Sequence, residues 1–292
     1  MTRLCQPRTP PPGRRWPRRL SRWVVLGVAG LLSAAAGCDR SAAGASGPTV
    51  AVSNTYLEAA LHDVVGPDVP VVRLAPPGAC PGHFDLRPSQ ITALRASRLV
   101  LRFDFQADLD QRLGTGPASG PRIAAVTVPG GLCEPPSYLA ACRQVAEAAV
   151  NAGLLERTTA EARLAAISQR LDELSVWVMQ RVGDAKLRGA AVVTSRHQAA
   201  FCRFLGLSVV ATFTGADTAS IEEISAAIRD GTPARAVVAN VPEGRRLADA
   251  LGQRLGVPVI VFDNFPAEAS GGTGFDALVR GNVERLVAGV ER

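Results

Sequence analysis

The alternation of short β-branched runs with helical stretches constrains the fold of this 292-residue chain most. In the first half the strand-like runs are TVAVSN, VPVVRLA, RLVLRF and RIAAVTV, and YLEAALHDVVG is typical of the helical stretches between them. The alternation returns after residue 189 with AAVVTS, SVVATFTG, ARAVVANV and VPVIVFD. Since strands that alternate with helices favour a parallel sheet covered on both faces, we predict an α/β fold. Each half would form one lobe, a mostly parallel sheet flanked by helices.

A long helical stretch lies between the two halves. Residues 158–183 contain no proline and carry apolar side chains three and four positions apart. Thr158 and Glu161 have the spacing of a capping box, and Gly183 is a typical stop. We therefore predict one long connecting helix, which we call the spine, over residues 158–183. It would join an N-terminal lobe, residues 49–153, to a C-terminal lobe, residues 189–292.

The first 37 residues have the composition of an export signal. They hold seven arginines, no acidic residue, the apolar run WVVLGVAGLLSAAA and the small residues AAG just before Cys38. The apolar run is too short to span a bilayer, and small residues before a cysteine resemble the cleavage site of bacterial lipoproteins. We predict a lipoprotein signal peptide over residues 1–37, lipidation of Cys38 and a flexible tether over residues 38–48. The alternative is an ordinary secretory signal that is cleaved nearby.

The formal net charge of +6 belongs to this leader, because the seven arginines leave the remaining chain at about −1. A near-neutral body does not favour nucleic-acid binding. We expect a monomer outside the cytoplasm, anchored to the membrane through the lipid on Cys38.

Side chains with metal-binding chemistry follow four of the predicted strands. His83, Cys133, His197 and Asp263 lie in the loops after VPVVRLA, RIAAVTV, AAVVTS and VPVIVFD. Because ligands of open parallel sheets bind beyond the carboxyl ends of the strands, we expect these loops to converge. Imidazole, thiolate and carboxylate groups are common ligands of transition metals. The loop carboxylates Glu134 and Glu243 are weaker candidates.

Each candidate also has an ordinary explanation. Cys80 lies three positions before His83, close enough to reach the same ion, but it could instead pair with Cys133 in a disulfide. His83 is otherwise a solvated turn residue, and His197 a surface or capping residue. Asp263 is otherwise a turn-forming aspartate. Three further residues are set aside: His62 as a surface residue, Cys142 as a core residue, and Cys202 because its helical spacing turns it away from His197.

The loop PPGACPGHFDLRPSQ, residues 76–90, resembles the PPGADPHxYEPTPSD loop of the metal-binding receptors of bacterial zinc and manganese ABC importers. The resemblance extends to TVAVSNTYLEAALHDVVG, the spine, TSRHQAAFCRFLGLSVVATF and VIVFDNFP. It implies a receptor that holds one transition-metal ion between two lobes and delivers it to a membrane permease. Such receptors use three histidines, or two histidines and a glutamate, with an aspartate.

The ligand positions of this chain differ from that pattern. His83 is offset by one residue, Gly130 and Thr212 stand where the second and third ligands would fall, and Asp263 matches directly. Compared with the family pattern, the site has therefore either been rebuilt or been lost, and a rebuilt site would use His83, His197 and Asp263 with Cys80, Cys133 or both. Thiolate and imidazole ligands favour Zn²⁺, allow copper and disfavour Mn²⁺.

Two rival interpretations stay open. The fold could bind a non-metal solute or serve as a degenerate adaptor, and a Cys80–Cys133 disulfide would support this interpretation. A thiol-dependent enzyme with Cys202 or Cys133 as nucleophile and His197 as base ranks last. Neither a nucleophile elbow nor a glycine-rich phosphate loop is present in the sequence, so we expect no enzymatic activity.

Overall fold

The computed structural model describes residues 49–76, 86–113, 120–267 and 274–291. Within these ranges the chain forms two four-stranded sheets in which all strand pairs are parallel. The predicted fold class, an α/β chain with two similar lobes joined by one long helix, is confirmed. The predicted signal peptide over residues 1–37, Cys38 and the tether over residues 38–48 lie outside the described residues.

The first sheet has the strand order β2-β1-β3-β4. Its strands are β1 (Val50–Val52), β2 (Val71–Arg73), β3 (Leu99–Phe103) and β4 (Arg122–Val126). Its helices are α1 (Thr55–Val65), α2 (Pro88–Ala96), α3 (Asp108–Leu113) and α4 (Pro135–Asn151).

The second sheet repeats this topology with the order β6-β5-β7-β8. Its strands are β5 (Ala191–Ser195), β6 (Ser208–Phe213), β7 (Ala236–Asn240) and β8 (Val259–Phe262). Its helices are α6 (Ala199–Phe204), α7 (Ile221–Asp230), α8 (Arg246–Leu255) and α9 (Gly274–Val290). Both sheets thus place their first and third strands side by side at the centre.

The spine is α5 (Arg157–Asp184), a helix of 28 residues. At a rise of 1.5 Å per residue it is about 42 Å long. It ends in a Schellman motif, in which Lys186 adopts a positive φ of 54° and the amide of Leu187 donates to the carbonyl of Val182. Gly183, the predicted stop, therefore lies inside the helix, and Lys186, three residues later, takes the left-handed position that a glycine usually occupies.

One continuous apolar core joins both sheets to the spine. Alternate strand residues divide between this core and an outer one: Val50 and Val52 face the spine side, whereas Ala51 packs on the opposite face. The second sheet follows the same rule, with Val192 on the shared side and Val193 on the outer side. This division follows from the two-residue period of a strand. The spine therefore packs into the body of the protein, and both lobes rest on it.

No helix of the described ranges is both long and apolar enough to cross a membrane.

Candidate functional site

The carboxyl ends of the central strands mark the place where a ligand is expected. In each sheet the order reverses between the first and third strands, and such a switch point opens a crevice above the strand ends. In the second lobe Ser195 ends β5 and Glu243 follows β7, so both residues lie at this crevice. In the first lobe Asp104 directly follows β3.

A cavity of about 270 Å³ opens between residues of both lobes at these strand ends. Asp104 and Gly130 line it from the first lobe, and His197 and Ala200 line it from the second. Two of the lining residues, Gly131 and Ala200, lie close together. A Cβ atom added to Gly131 would lie 3.1 Å from the Cβ atom of Ala200. The cavity therefore lies at the junction of the two lobes.

His197 lies in a short 3-10 turn, Arg196–Gln198, between β5 and α6. Its side chain is 64% exposed, and its Nε2 atom lies 3.5 Å from Oε1 of Glu243. The second oxygen of Glu243, Oε2, accepts a hydrogen bond of 2.5 Å from the hydroxyl of Ser195. The same Ser195 oxygen accepts from the amide of His197 at 3.3 Å. Ser195 therefore connects the backbone of His197 to the carboxylate of Glu243.

Glu134 stands at the start of α4, and its carboxylate is folded back toward the preceding loop. Its Oε2 atom accepts from the amide of Gly131 at 2.9 Å and lies 3.0 Å from Oγ of Ser137. A Cβ atom at Gly130 would be only 2.4 Å from this oxygen, and Gly130 has a φ of 84°. The Glu134 carboxylate thus fills the space that a side chain at position 130 would enter.

Cys133 lies buried where the two lobes meet. Its thiol donates to the carbonyl oxygen of Asp263 at 3.3 Å, and the amide group of Asn282 donates to its sulfur at 3.7 Å. Burial is the main reason that the pKa of Cys133 rises to about 12. A metal ligand must be a thiolate, so this thiol would first have to lose its proton in an apolar environment.

The carboxylate of Asp263 is paired with a cation. Its Oδ2 atom lies 2.7 Å from Nη1 of Arg285 on α9, and the side chain is 37% exposed. Asn282, fully buried, holds the backbone of Asp263 through hydrogen bonds of 2.9 Å to both its amide and its carbonyl group. Asp263 does not line the cavity that contains His197.

Cys202 and Cys133, the two cysteines of the enzyme interpretation, are buried thiols. Cys202 donates to the hydroxyl of Thr194 at 3.5 Å, and burial raises its pKa to about 12. Cys142 lies in the shared core, as predicted, and burial raises its pKa well above the ordinary range. Cys133, Cys142 and Cys202 are all free thiols. A buried, protonated thiol is a poor nucleophile.

Cys80 and His83 lie outside the described residues, in the segment 77–85. Among the residues that are described, no group of three or more His, Cys, Asp and Glu side chains is placed to hold a metal ion. Glu243 was one of the weaker candidates from the sequence, and its contacts with Ser195 and His197 were not predicted. The switch-point rule, applied to β5 and β7, is the signal that would have found them.

No protein-family model matches the chain, and no curated protein sequence is significantly similar to it. Solved structures do match. A Mn-bound periplasmic metal-binding protein from Candidatus Liberibacter asiaticus superposes with a TM-score of 0.70 at 12% identity, covering 84% of this chain and 100% of its own. The Cd-bound form of a periplasmic metal-binding protein from the same organism gives 0.70 at 11% identity, with coverages of 84% and 100%.

A crystal structure of ZnuA superposes with a TM-score of 0.65 at 18% identity, covering 81% of this chain and 98% of that one. The resemblance seen in the sequence is thereby confirmed at the level of the fold. At these identities the match concerns the backbone arrangement and not the ligand residues. The chain has the two-lobed fold of periplasmic metal-binding proteins.

Proposed function

We propose that the protein is the extracytoplasmic receptor of a metal-ion ABC importer. It binds one transition-metal ion in the cleft between its lobes and delivers the ion to a membrane permease, without catalysing a reaction. The observation that carries the proposal is the position of His197, which lines a cavity between the lobes of this fold and whose Nε2 atom lies 3.5 Å from Oε1 of Glu243. Imidazole and carboxylate groups are ligands that suit such a cargo.

The proposed ligands come from the carboxyl edges of the two sheets. His83 and Cys80 would approach from the first lobe, and His197 from the second. Asp263, Cys133, Glu134 and Glu243 are the further candidates. Zn²⁺ is the cargo that the sequence favours because of the cysteines, whereas the burial of Cys133 weakens that reason. Zn²⁺, Mn²⁺ and copper therefore all belong in the test.

Anchoring through a lipidated Cys38 is part of the same proposal. A receptor tethered to the outer side of the membrane stays close to its permease, because a flexible tether keeps its effective concentration high. Mass spectrometry of the exported protein tests this point. It is expected to show a cleaved leader and a lipid on Cys38, and replacement of Cys38 by alanine is expected to release the protein into the soluble fraction.

The decisive measurement is the metal content of the exported protein. The protein is purified under reducing conditions, dialysed against a mixture of zinc, copper and manganese, and analysed by inductively coupled plasma mass spectrometry. About one equivalent of a single metal is expected. A protein that takes up none of the three metals would contradict the proposal.

One observation favours a second function, a receptor for a non-metal solute. Asp263, which matches the family pattern directly, forms an ion pair with Arg285 in this structure. If no metal binds, the cavity near His197 is free for a small polar solute. Screening a metabolite library by thermal shift, with metal chelated, would detect such a ligand.

A further inference from the structure

We propose that the second lobe carries a basic surface that contacts anionic lipid headgroups and holds the body of the protein along the membrane. This surface, which we call the basic end, consists of Lys186, Arg188, Arg203 and Arg235. It lies at the amino ends of the strands of the second sheet, whereas the cavity lies at their carboxyl ends. The inference rests on the proposed lipid anchor at Cys38 and adds a second point of attachment.

The four side chains of the basic end come from neighbouring segments. Two of them precede β5, one precedes β7, and Arg203 is in the last turn of α6. Nη1 of Arg235 donates to the carbonyl of Lys186 at 3.4 Å. The carbonyl of Gly206, just after α6, accepts from the amide of Gly189 at 2.7 Å. Hydrogen bonds therefore join the segments that carry these cations into one surface.

The charges of the basic end are exposed and not neutralised. Within the described ranges, none of the four side chains forms an ion pair with a carboxylate. Arg254, at the end of α8, adds a further cation at this edge of the sheet. The exposed acidic residues nearby are Asp184 and Glu291, since Asp230 is paired with Arg229. The cations thus outnumber the free carboxylates, and the surface is net positive.

The opposite edge of the same lobe has a different charge pattern. There the arginines Arg196, Arg245 and Arg285 each pair with an acidic residue. Helix C-termini favour cations, which explains Arg203 and Lys186 as neighbours of helix ends. This reason does not apply to Arg188 and Arg235, because both precede strands. Unpaired cations therefore accumulate at the basic end beyond what helix ends require.

The amino edges of the two sheets lie at the two ends of the spine. The carbonyl of Asn151, at the end of α4, accepts from the side chain of Arg122, the first residue of β4. The spine begins soon after, at Arg157, and ends at Asp184, shortly before β5. At about 42 Å, the length of the spine separates the basic end from the amino edge of the first lobe.

The proposed tether enters at the amino edge of the first lobe. The described chain begins at Thr49, whose carbonyl accepts from the amide of Arg98 at 2.9 Å. Residues 38–48 can extend to about 40 Å, no more than the length of the spine. A body standing on its basic end would stretch the tether fully, whereas a body lying along the membrane leaves the tether slack. We therefore expect the long axis of the protein to lie parallel to the membrane.

A small number of cations is sufficient for such a contact. Each Lys or Arg close to an anionic membrane surface strengthens binding roughly fivefold. The tether also keeps the basic end at a high effective concentration near the lipid headgroups. Because the cavity lies at the other edge of the lobe, contact with the membrane leaves it open.

The test measures the orientation of the exported lipoprotein on vesicles by energy transfer. A dye is attached to Ser208→Cys, an exposed position at the basic end, in a Cys80→Ser background, where the buried thiols stay unlabelled. The vesicles contain acceptor-labelled lipid in phosphatidylcholine alone or in an equal mixture with phosphatidylglycerol. Transfer is expected to be roughly twofold higher on the anionic vesicles. In ~1 M NaCl, which screens charges beyond about 3 Å, it should fall to the phosphatidylcholine value.

Two pairs of substitutions separate the basic end from the overall charge. Lys186→Gln with Arg188→Gln is expected to lose roughly half or more of the excess transfer on anionic vesicles. Arg245→Gln with Arg246→Gln is the matched control, the same change of charge at the start of α8, and should leave the transfer unchanged. Thermal unfolding confirms that each variant is folded. An unfolded first pair is replaced by Arg203→Gln with Arg235→Gln.

Two outcomes overturn the inference. Equal transfer on both kinds of vesicle would mean that the body stands on its first lobe, or that the basic end faces an acidic protein. An equal loss in the control pair would mean that the overall charge, and not this surface, attracts the membrane.

The lipid anchor and the basic end can fail separately. If mass spectrometry finds no lipid on Cys38, the unlipidated protein is sedimented with the same vesicles at low salt. Sedimentation with anionic vesicles that is lost in Lys186→Gln with Arg188→Gln supports the basic end without the anchor, and no sedimentation overturns it. Metal content, measured as above, tests the proposed receptor function independently of both.

Discussion

Arg170, in the middle of the spine, forms a two-bond ion pair with Asp63 of α1. Nη1 lies 3.0 Å from Oδ1, and Nη2 lies 2.6 Å from Oδ2. The carboxylate is only 3% exposed, so the pair is largely shielded from water. The hydroxyl of Tyr138 on α4 donates to the same carboxylate at 2.8 Å. Three helices therefore meet at one charged group.

The same arginine reaches the second lobe. Its Nε atom lies 3.4 Å from Oδ1 of Asp276 on α9. Next to Asp276, the ring of Phe275 stacks on Tyr138 with a centroid distance of 3.9 Å. Contacts of both lobes thus converge on Arg170, which fits a spine that allows little relative movement of the lobes.

Replacement of Arg170 by alanine is expected to lower the free energy of unfolding by about 3 kcal/mol. The loss arises because Asp63 would remain buried without its partner. Urea unfolding followed by circular dichroism measures the change. Arg157→Ala is the control, since Arg157 and Glu147 pair in an exposed position and their loss should have no measurable effect. Equal stability of Arg170→Ala and the wild type would show that the ion pair contributes nothing.

The second prediction concerns pH. Burial raises the pKa of Asp276, with the charge of Arg170 opposing and that of Asp63 adding to the effect. Between the unfolded and the raised folded pKa, the native state binds more protons than the unfolded state. Stability linked to Asp276 is therefore full at lower pH and is lost as the pH rises through the folded pKa.

In Asp276→Asn, the free energy of unfolding is therefore expected to fall less steeply as the pH rises above about pH 4. At pH 7 it is expected to be higher than that of the wild type. Unfolding curves collected from pH 4 to pH 8 test both points, with the wild type measured in parallel. Arg280 also faces Asp276 and lowers its pKa, so Arg280→Gln should steepen the dependence. A variant that is less stable than the wild type at pH 7 would mean that the attraction of Arg170 outweighs burial.

Cys133 is expected to react slowly in the folded protein. With a pKa of about 12, only about 10⁻⁴ of the thiol is ionised at pH 8, and the thiolate is the reactive form. Iodoacetamide labelling, followed by mass spectrometry, should modify Cys133 readily in urea and hardly at all in buffer. Cys133→Ser should also retain metal affinity. Rapid labelling of the native protein, or loss of metal binding in Cys133→Ser, would indicate a thiolate at the site.

Gly130 is expected to tolerate no side chain without cost. Its positive φ of 84° costs about 1–2 kcal/mol for an alanine, and the added Cβ would collide with Glu134. Gly189→Ala is the matched control, because Gly189 has a φ of 73° and nothing within 4 Å of the added Cβ. Urea unfolding of both variants separates the cost of the positive φ from the cost of the collision with Glu134. Equal destabilisation would show that Glu134 moves aside freely.

Much of the fold could be predicted from local pattern. Short runs of consecutive apolar residues form the central strands, and the apolar spacing of the spine places Ile167, Leu171 and Leu174 in the core. Helix ends were less predictable. The predicted capping box at Thr158 is wrong, since α5 begins at Arg157 and Glu156 precedes it. The six-residue α3 was missed because so short a segment shows no clear period.

The candidate site was predictable only in part. The sequence alone determined that His197 follows a strand and that Glu243 is a loop carboxylate, because both facts depend on near neighbours in the chain. Their pairing depends on β5 lying beside β7, with Thr194 opposite Val238, a contact between distant segments. In the same way, only the tertiary structure decided that Asp263 faces Arg285 and that Cys133 is buried. Periodicity is a local property of the sequence, whereas the pKa and the partner of a side chain are set by whatever the fold packs around it.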